Sequence, residues 1–263
     1  MTESPEPRKR PVVITRPIAQ AAPLAQKLAV AGREAVVFPL LEILPLPDQS
    51  ALKATLKDLG KYAMVAFVSP NAIDAAFAHI DIWPSEVALA VVGEGSKAAL
   101  ANHGLTPDNA TIFSPVDPHR TDSQTLLEVL DLAALRDKRL LIVRGETGRE
   151  LLTDALRAAG VQVEQVAAYR RTAPVLDGEK MAQLRHLLDT EADWIITSSE
   201  ALRYLLQMVR DVAGEAGVVK MQQQPLIVPH VRIAETARAL GFTDVIETGS
   251  GDEPLIAALQ FRA

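Results

Sequence analysis

Polar side chains able to hold an anion recur at one kind of position in this chain, just behind short apolar runs. Arg16 follows Val12-Val13-Ile14, Ser69 and Asn71 follow Val65-Ala66-Phe67-Val68, and Ser96 follows the run ending at Val92. Arg144 stands after Leu140 to Val143, Ser198 and Ser199 after Trp194-Ile195-Ile196-Thr197, and His230 and Arg232 after Leu226-Ile227-Val228. A strand that ends in hydroxyl, amide or arginine residues and then enters a helix exposes the helix's first backbone N–H groups, backed by its dipole. Such turns favour carboxylate or phosphate, and several of them together suit a polyanionic ligand.

Other chemistries find little footing. The chain has no cysteine, so it offers no disulfide, thiolate nucleophile or sulfur-ligated metal. It contains no G-x-S-x-G elbow, Walker A loop or H-E-x-x-H, and its histidines lack metal-ligand spacing. His79, His103, His119 and His186 read as cap or surface residues, and only His230, at a strand's C-terminal end, has a positional claim on a ligand. Gly93-Glu94-Gly95-Ser96-Lys97-Ala98 fits G-x-G-x-x-A, with Asp117 at about the right distance for the acidic partner, so a dinucleotide site stays open beside an ordinary tight turn. The residues alone give Tyr169 a packing role.

The elements that would position these groups form a repeat. Strand Val12–Ile14, helix Ala19–Ala31, the Gly32 stop and strand Glu34–Phe38 make one unit, A. A proline-broken connection, Pro39–Pro47, leads to helix Ser50–Leu59, with Ser50 as its expected cap. Unit B has strand Ala63–Val68, helix Asn71–His79, strand Val87–Val92, helix Ala98–Asn102 and strand Thr111–Phe113. After the loop Pro115–Asp122 and a helix over Ser123–Leu135, unit A returns as strand Arg139–Val143, helix Glu150–Ala159, the Gly160 stop and strand Val161–Ala168. Tyr169–Gly178 stands where the first connection stood. Helix Met181–Leu188, strands Trp194–Thr197, Pro225–Val228 and Val245–Glu247, and helices Ile233–Leu240 and from Pro254 complete B again. Roughly ten strands alternating with helices predict an α/β protein with two doubly wound parallel sheets of about five strands each. The order leaves two partitions open: a cut near residue 136, or a first A joined to the last B.

Its 263 residues suffice for two such domains, and a composition rich in apolar but poor in aromatic residues suits aliphatic parallel sheets. A net charge of −6 speaks against nucleic acid as the main partner. Residues 1–11 read as a disordered tail without the apolar stretch of a signal peptide, and no run reaches membrane-spanning length. A cytoplasmic protein without nucleic-acid or membrane partners is expected.

Taken in order, Thr15-Arg16-Pro17, Phe38-Pro39-Leu40-Leu41, Phe67-Val68-Ser69-Pro70-Asn71-Ala72, Val92-Gly93-Glu94, Arg144-Gly145-Glu146, Val166-Ala167-Ala168-Tyr169-Arg170 and Thr197-Ser198-Ser199-Glu200-Ala201 resemble uroporphyrinogen-III synthase. The similarity spans nearly the whole chain after residue 11. It implies two α/β domains joined by a two-stranded linker, with the active site in the interdomain cleft: residues 12–38 plus 175–263 in one domain, 47–168 in the other, and 39–46 with 169–174 as linker strands. The implied substrate is hydroxymethylbilane, a linear tetrapyrrole with eight carboxylates. The implied product is uroporphyrinogen III, its last ring inverted, formed with loss of water in haem biosynthesis. No cofactor or metal is implied. A monomer is expected, with the preceding pathway enzyme as a partner to look for.

Tyr169 matches the family tyrosine thought to assist departure of the hydroxyl. The resemblance carries substrate binding to Thr15, Arg16, Ser69, Pro70, Asn71, Ala72, Gly93, Arg144, Gly145, Ser198 and Ser199. Ser96 stands where the family often has threonine, and Ser250 lies in Gly249-Ser250-Gly251-Asp252, the counterpart of a Ser/Thr-Pro turn. With His230 and Arg232 these complete the expected contacts. A noncatalytic two-lobed protein binding or sensing a small polyanion is the alternative from another class.

Overall fold

The computed structural model describes residues 9–116 and 123–260. Most of the expected tail, together with Asp117 and His119, lies outside the described residues. The chain opens with β1 (Val12–Ile14), α1 (Ile18–Val30) and β2 (Ala35–Val37). It continues through β3 (Glu42–Pro45), α2 (Ser50–Lys57), a 3₁₀ turn at Leu59–Lys61, β4 (Met64–Phe67), α3 (Pro70–Phe77), β5 (Ala88–Val91), α4 (Glu94–Asn102) and β6 (Ile112–Phe113). Next come α5 (Ser123–Val129), α6 (Leu132–Leu135), β7 (Arg139–Gly145), α7 (Leu151–Ala158) and β8 (Gln162–Thr172). The last part holds α8 (Gly178–Asp189), β9 (Asp193–Ile195), α9 (Ser199–Gln222), β10 (Leu226–Val228), α10 (Val231–Ala239), β11 (Val245–Glu247) and α11 (Asp252–Gln260).

The chain forms two compact α/β units, Met1–Glu42 with Thr172–Ala263 (unit 1) and Ile43–Arg171 (unit 2). Among the described residues the sheet of unit 1 has the order β11-β10-β9-β1-β2, and every pairing in it is parallel. Strand alternation sends Val12 and Ile14 to α1 and α11, where Leu24, Leu28, Leu255 and Leu259 are fully buried. Val13, Leu226 and Val228 face the other way, onto α8, α9 and α10. Beneath the sheet's N-terminal edge, Arg33 donates to Asp193 at 2.6 Å with both side chains at most 2% exposed.

The second sheet has the order β3-β8-β7-β4-β5-β6, with β8 to β6 parallel. Val65 and Phe67 pack on α2, α3 and α4, while Met64 and Ala66 pack on α5, α6 and α7. Both sheets are thus covered on both faces, which explains why β1, β4, β5 and β10 read as unbroken apolar runs.

Within the stretch 39–46, expected as a linker strand, Glu42–Pro45 forms β3, an edge strand beside β8, where prolines are tolerated because one side of the strand needs no ladder donors. Several other local expectations are corrected. Helix Ser123–Leu135 is two helices, because Asp131 accepts from Ala134 N–H at 3.0 Å and caps a new one. Ser50 does not cap α2; it is the first helical residue, and its own N–H donates to Asp48. β7 continues through Arg144 and Gly145, and β8 runs on to Thr172.

Candidate functional site

In unit 2, β4, β7 and β8 deliver their C-terminal ends side by side, and the register there is irregular. Arg144 pairs with Ala167 and Gly145 with Tyr169, so Ala168 is an extra residue in β8. A bulge reverses the alternation beyond it, and Val166, Ala168 and Tyr169 accordingly join one core cluster on the α3 side. Glu146 N–H donates to Tyr169 C=O at 2.8 Å and fixes this backbone. The Tyr169 ring packs on Gly145 so closely that a Cβ there would lie 3.0 Å from Cζ and 3.2 Å from Oη.

Tyr169 is 5% exposed, and its Oη lies 3.1 Å from Ser69 Oγ. Ser69 is the N-cap of α3, accepting from Ala72 N–H at 3.2 Å, with Pro70 in the first helical position, where its missing N–H costs nothing. Arg144, 5% exposed, donates through Nη1 to Glu150 at 2.6 Å and to Gln165 at 2.7 Å. Gln165 in turn donates to Glu150 and to Thr153. Gln165 first and then Arg144 hold the Glu150 carboxyl below its ordinary value. A Cβ on Gly148 would fall 2.5 Å from Arg144 Nη2, so this position must be glycine for the guanidinium to sit where it does.

Tyr169 borders two hollows of opposite character. One, of about 170 Å³, is polar and is lined by Ser69, Ser123, Arg144, Arg149 and Arg171 among others. The other, of about 380 Å³, is mostly apolar, walled by Ile43, Leu44, Pro45, Ala75 and Ala78, with Gln49, Asn71, Asp74 and His79 also lining it. Two roomier hollows in unit 1, about 430 and 480 Å³, lie at its sheet's N-terminal edge, the wrong end for a ligand of an open α/β sheet.

Unit 1 has a polar C-terminal rim of its own. Thr15 follows β1, is buried, and donates to Ile195 C=O at 2.7 Å. Arg16 donates to Asp252 at 2.7 Å, and Lys27 donates to Asp252 and Glu253. Ser198 caps α9, Ser199 meets Thr236 at 3.0 Å, and His230 caps α10 by accepting from Arg232 N–H at 3.1 Å.

The sequence profile described as "Uroporphyrinogen-III synthase HemD" matches residues 22–257. The chain belongs to the uroporphyrinogen-III synthase family. A relative named uroporphyrinogen-III synthase from Salmonella typhimurium is 32% identical over 95% of this chain and 99% of its own length. One of the same name from Escherichia coli is 30% identical over the same shares. The fold is that of the crystallised uroporphyrinogen-III synthetase of Helicobacter pylori, with a TM-score of 0.63, 15% identity, and coverage of 96% of this chain and 100% of that one.

For a uroporphyrinogen-III synthase the structure places the expected contacts in two groups. Ser69, Pro70, Asn71, Ala72, Gly93, Ser96, Arg144, Gly145 and Tyr169 belong to unit 2, and Thr15, Arg16, Ser198, Ser199, His230, Arg232 and Ser250 to unit 1. Ala72, Glu200 and Ala201 do not offer bare N–H groups: Ser69 takes the first, and Ser198 the other two. Ser96 lies in the first turn of α4 and is 2% exposed, so its hydroxyl is buried in the helix packing. His230 is engaged as a cap through Nδ1, which gives it a structural role. The glycine fingerprint forms no loop, because α4 starts at Glu94 directly behind Gly93. Gly93 has no side chain to cap α4, which leaves its cap position without a side-chain hydrogen bond.

Gly148, Arg149, Thr153, Gln165 and Arg171 were missed. Gly148 and Arg149 stand in the turn that follows β7, a few residues after Arg144, and a glycine next to an arginine there was the available signal. Gln165 lies within a strand and reveals its role only in three dimensions. Among the described residues no cluster of three His, Asp or Glu has the arrangement of a metal site, and no helix is long and apolar enough to cross a membrane.

Proposed function

We propose that Tyr169 is the general acid of the reaction, giving its phenolic proton to the hydroxyl that leaves hydroxymethylbilane. The chain is an enzyme of haem biosynthesis that closes this linear tetrapyrrole to uroporphyrinogen III, inverting the last ring and releasing water. In the proposed step the C–O bond breaks as pyrrole electrons push the hydroxyl out, and the hydroxyl departs as water with the Tyr169 proton. The proton lost from carbon when the macrocycle closes restores the phenol, so atoms and charge balance.

One observation carries this reading: Tyr169 stands between an arginine-lined hollow and an apolar one. A pyrrole chain edged with carboxylates presents those two characters side by side. Arg149 and Arg171, with the first turn of α4 behind Gly93, are the proposed carboxylate donors of unit 2, and Arg144 shapes the floor. Arg16, Arg232, Ser199 and Ser250 are proposed as the donors of unit 1. Holding a long flexible substrate so that its two ends meet supplies proximity worth several kcal/mol, on the order of what oriented intramolecular reactions gain. We further infer a cytoplasmic monomer that receives its substrate from the preceding enzyme, without nucleic-acid or membrane partners; the acidic net charge supports this. A purely ligand-holding role is not favoured, given the family.

The test supplies hydroxymethylbilane and identifies the uroporphyrinogen isomer formed, since unassisted closure gives the non-inverted ring. Tyr169→Phe should slow formation of the inverted isomer by about 10²-fold or more while thermal unfolding stays that of the wild type. Turnover within about twofold of wild type removes Tyr169 from the mechanism.

A further inference from the structure

The contact between Ser69 and Tyr169 can run in two directions, and the direction decides what the tyrosine can do. A serine hydroxyl has one proton and two lone pairs. One lone pair of Ser69 is already committed to Ala72 N–H, as the cap of α3. If Tyr169 donated to the other, its proton would be tied up inside the protein. If Ser69 donates instead, Tyr169 Oη accepts, its own proton is free to turn toward the hollow, and the phenolate left after transfer keeps a hydrogen-bond donor.

We propose that Ser69 is a positioning residue that donates to Tyr169 Oη at 3.1 Å and so aims the phenolic proton at the departing hydroxyl. Three features favour this direction. The Ala72 N–H drawn to Oγ polarises the serine hydroxyl and makes it a better donor. The N-terminus of α3 favours negative charge developing on Oη. Tyr169 is 5% exposed and pressed against Gly145, so little water competes for Oη and the ring has little freedom to turn away. The proposal rests on the reading of Tyr169 as general acid.

Thr and Asp both cap helices well, but only threonine retains a hydroxyl proton to give, since an ionised aspartate solely accepts. Ser69→Thr and Ser69→Asp therefore separate capping from proton aiming. Each is measured with saturating hydroxymethylbilane, so that repulsion between Asp and the substrate carboxylates appears in KM and leaves kcat readable. Thermal unfolding verifies that α3 remains capped. The expected result is a kcat for Ser69→Thr within about threefold of wild type and for Ser69→Asp at least about tenfold lower, with that gap vanishing when Tyr169→Phe is added to both. Equal kcat for the two variants, or a gap that persists beside Tyr169→Phe, overturns the proposal while leaving the tyrosine in place. A Tyr169→Phe single variant with unchanged kcat overturns the general-acid reading itself, and the role of Ser69 falls with it.

Discussion

Replacing Gly145 with alanine tests how tightly the tyrosine must be held. The added Cβ would stand 3.0 Å from Tyr169 Cζ and 3.2 Å from Oη. Ordinary carbon contacts lie at about 3.5–4.0 Å, so the ring must retreat by roughly 0.5–1 Å. The backbone cannot supply that movement easily, because Gly145 and Tyr169 are ladder partners and Glu146 N–H holds Tyr169 C=O at 2.8 Å. The side chain therefore yields, and the 3.1 Å contact with Ser69 is displaced from its present geometry. Overpacking of this kind costs about 1–3 kcal/mol of stability. A misplacement near 1 Å costs on the order of 10²-fold in rate. Gly145→Ala should therefore fold with a lowered melting temperature and form uroporphyrinogen III about 10- to 100-fold more slowly, the loss lying mainly in kcat. A variant that keeps wild-type kcat despite the methyl group would show that the position of the Tyr169 ring does not limit the chemistry.

Further outcomes follow from other contacts. Gly148→Ala puts a Cβ 2.5 Å from Arg144 Nη2, so the guanidinium must leave Gln165 and Glu150; KM should rise about tenfold with kcat little changed, and an unchanged KM would confine Arg144 to a structural role. Arg33→Met removes the guanidinium paired with the buried Asp193 carboxylate and should cost about 3–5 kcal/mol in urea unfolding; a loss below about 1 kcal/mol would contradict the buried-pair account. Burial pushes the Asp252 carboxyl upward, but the hydrogen bond and charge of Arg16, aided by Lys27, leave it below its ordinary value of 3.8. A depressed folded-state value stabilises the fold above 3.8 and loses that contribution as pH falls through the folded value. Asp252→Asn should thus melt earlier than wild type at neutral pH and converge with it in strong acid, whereas a melting gap independent of pH would refute the assignment.

The alternation of strands and helices was legible because the sheets are covered on both faces, so most central strands announce themselves as apolar runs, with β8, which carries Gln162, Glu164 and Gln165, as the exception. Caps were less legible. Ser50 and Asp48 compete for the same helix start, and only the observed Asp48 acceptor distinguishes them. Asp131 breaks a run that helical periodicity alone would continue. The rim residues could be found because serine, arginine and glycine behind an apolar run mark a strand's end. What each of them does there could not. Whether Ser69 offers N–H groups or consumes one, and whether Arg16 and Arg144 face a ligand or an internal carboxylate, depends on partners such as Asp252 and Gln165 far along the chain. The bulge that re-aims Tyr169 leaves no mark in composition, since Ala167 and Ala168 look alike until the register is known.

In unit 1, β1 lies between β2 and β9, and β9 begins at Asp193. On a ribosome, the first two strands emerge long before the third strand that completes their pairing, and at about 5–20 residues per second that delay is many seconds. Ile43–Arg171 has all its own strands in hand during the interval. Synthesis therefore imposes a schedule in which the inserted segment matures first and the opening strands wait with an unsatisfied edge.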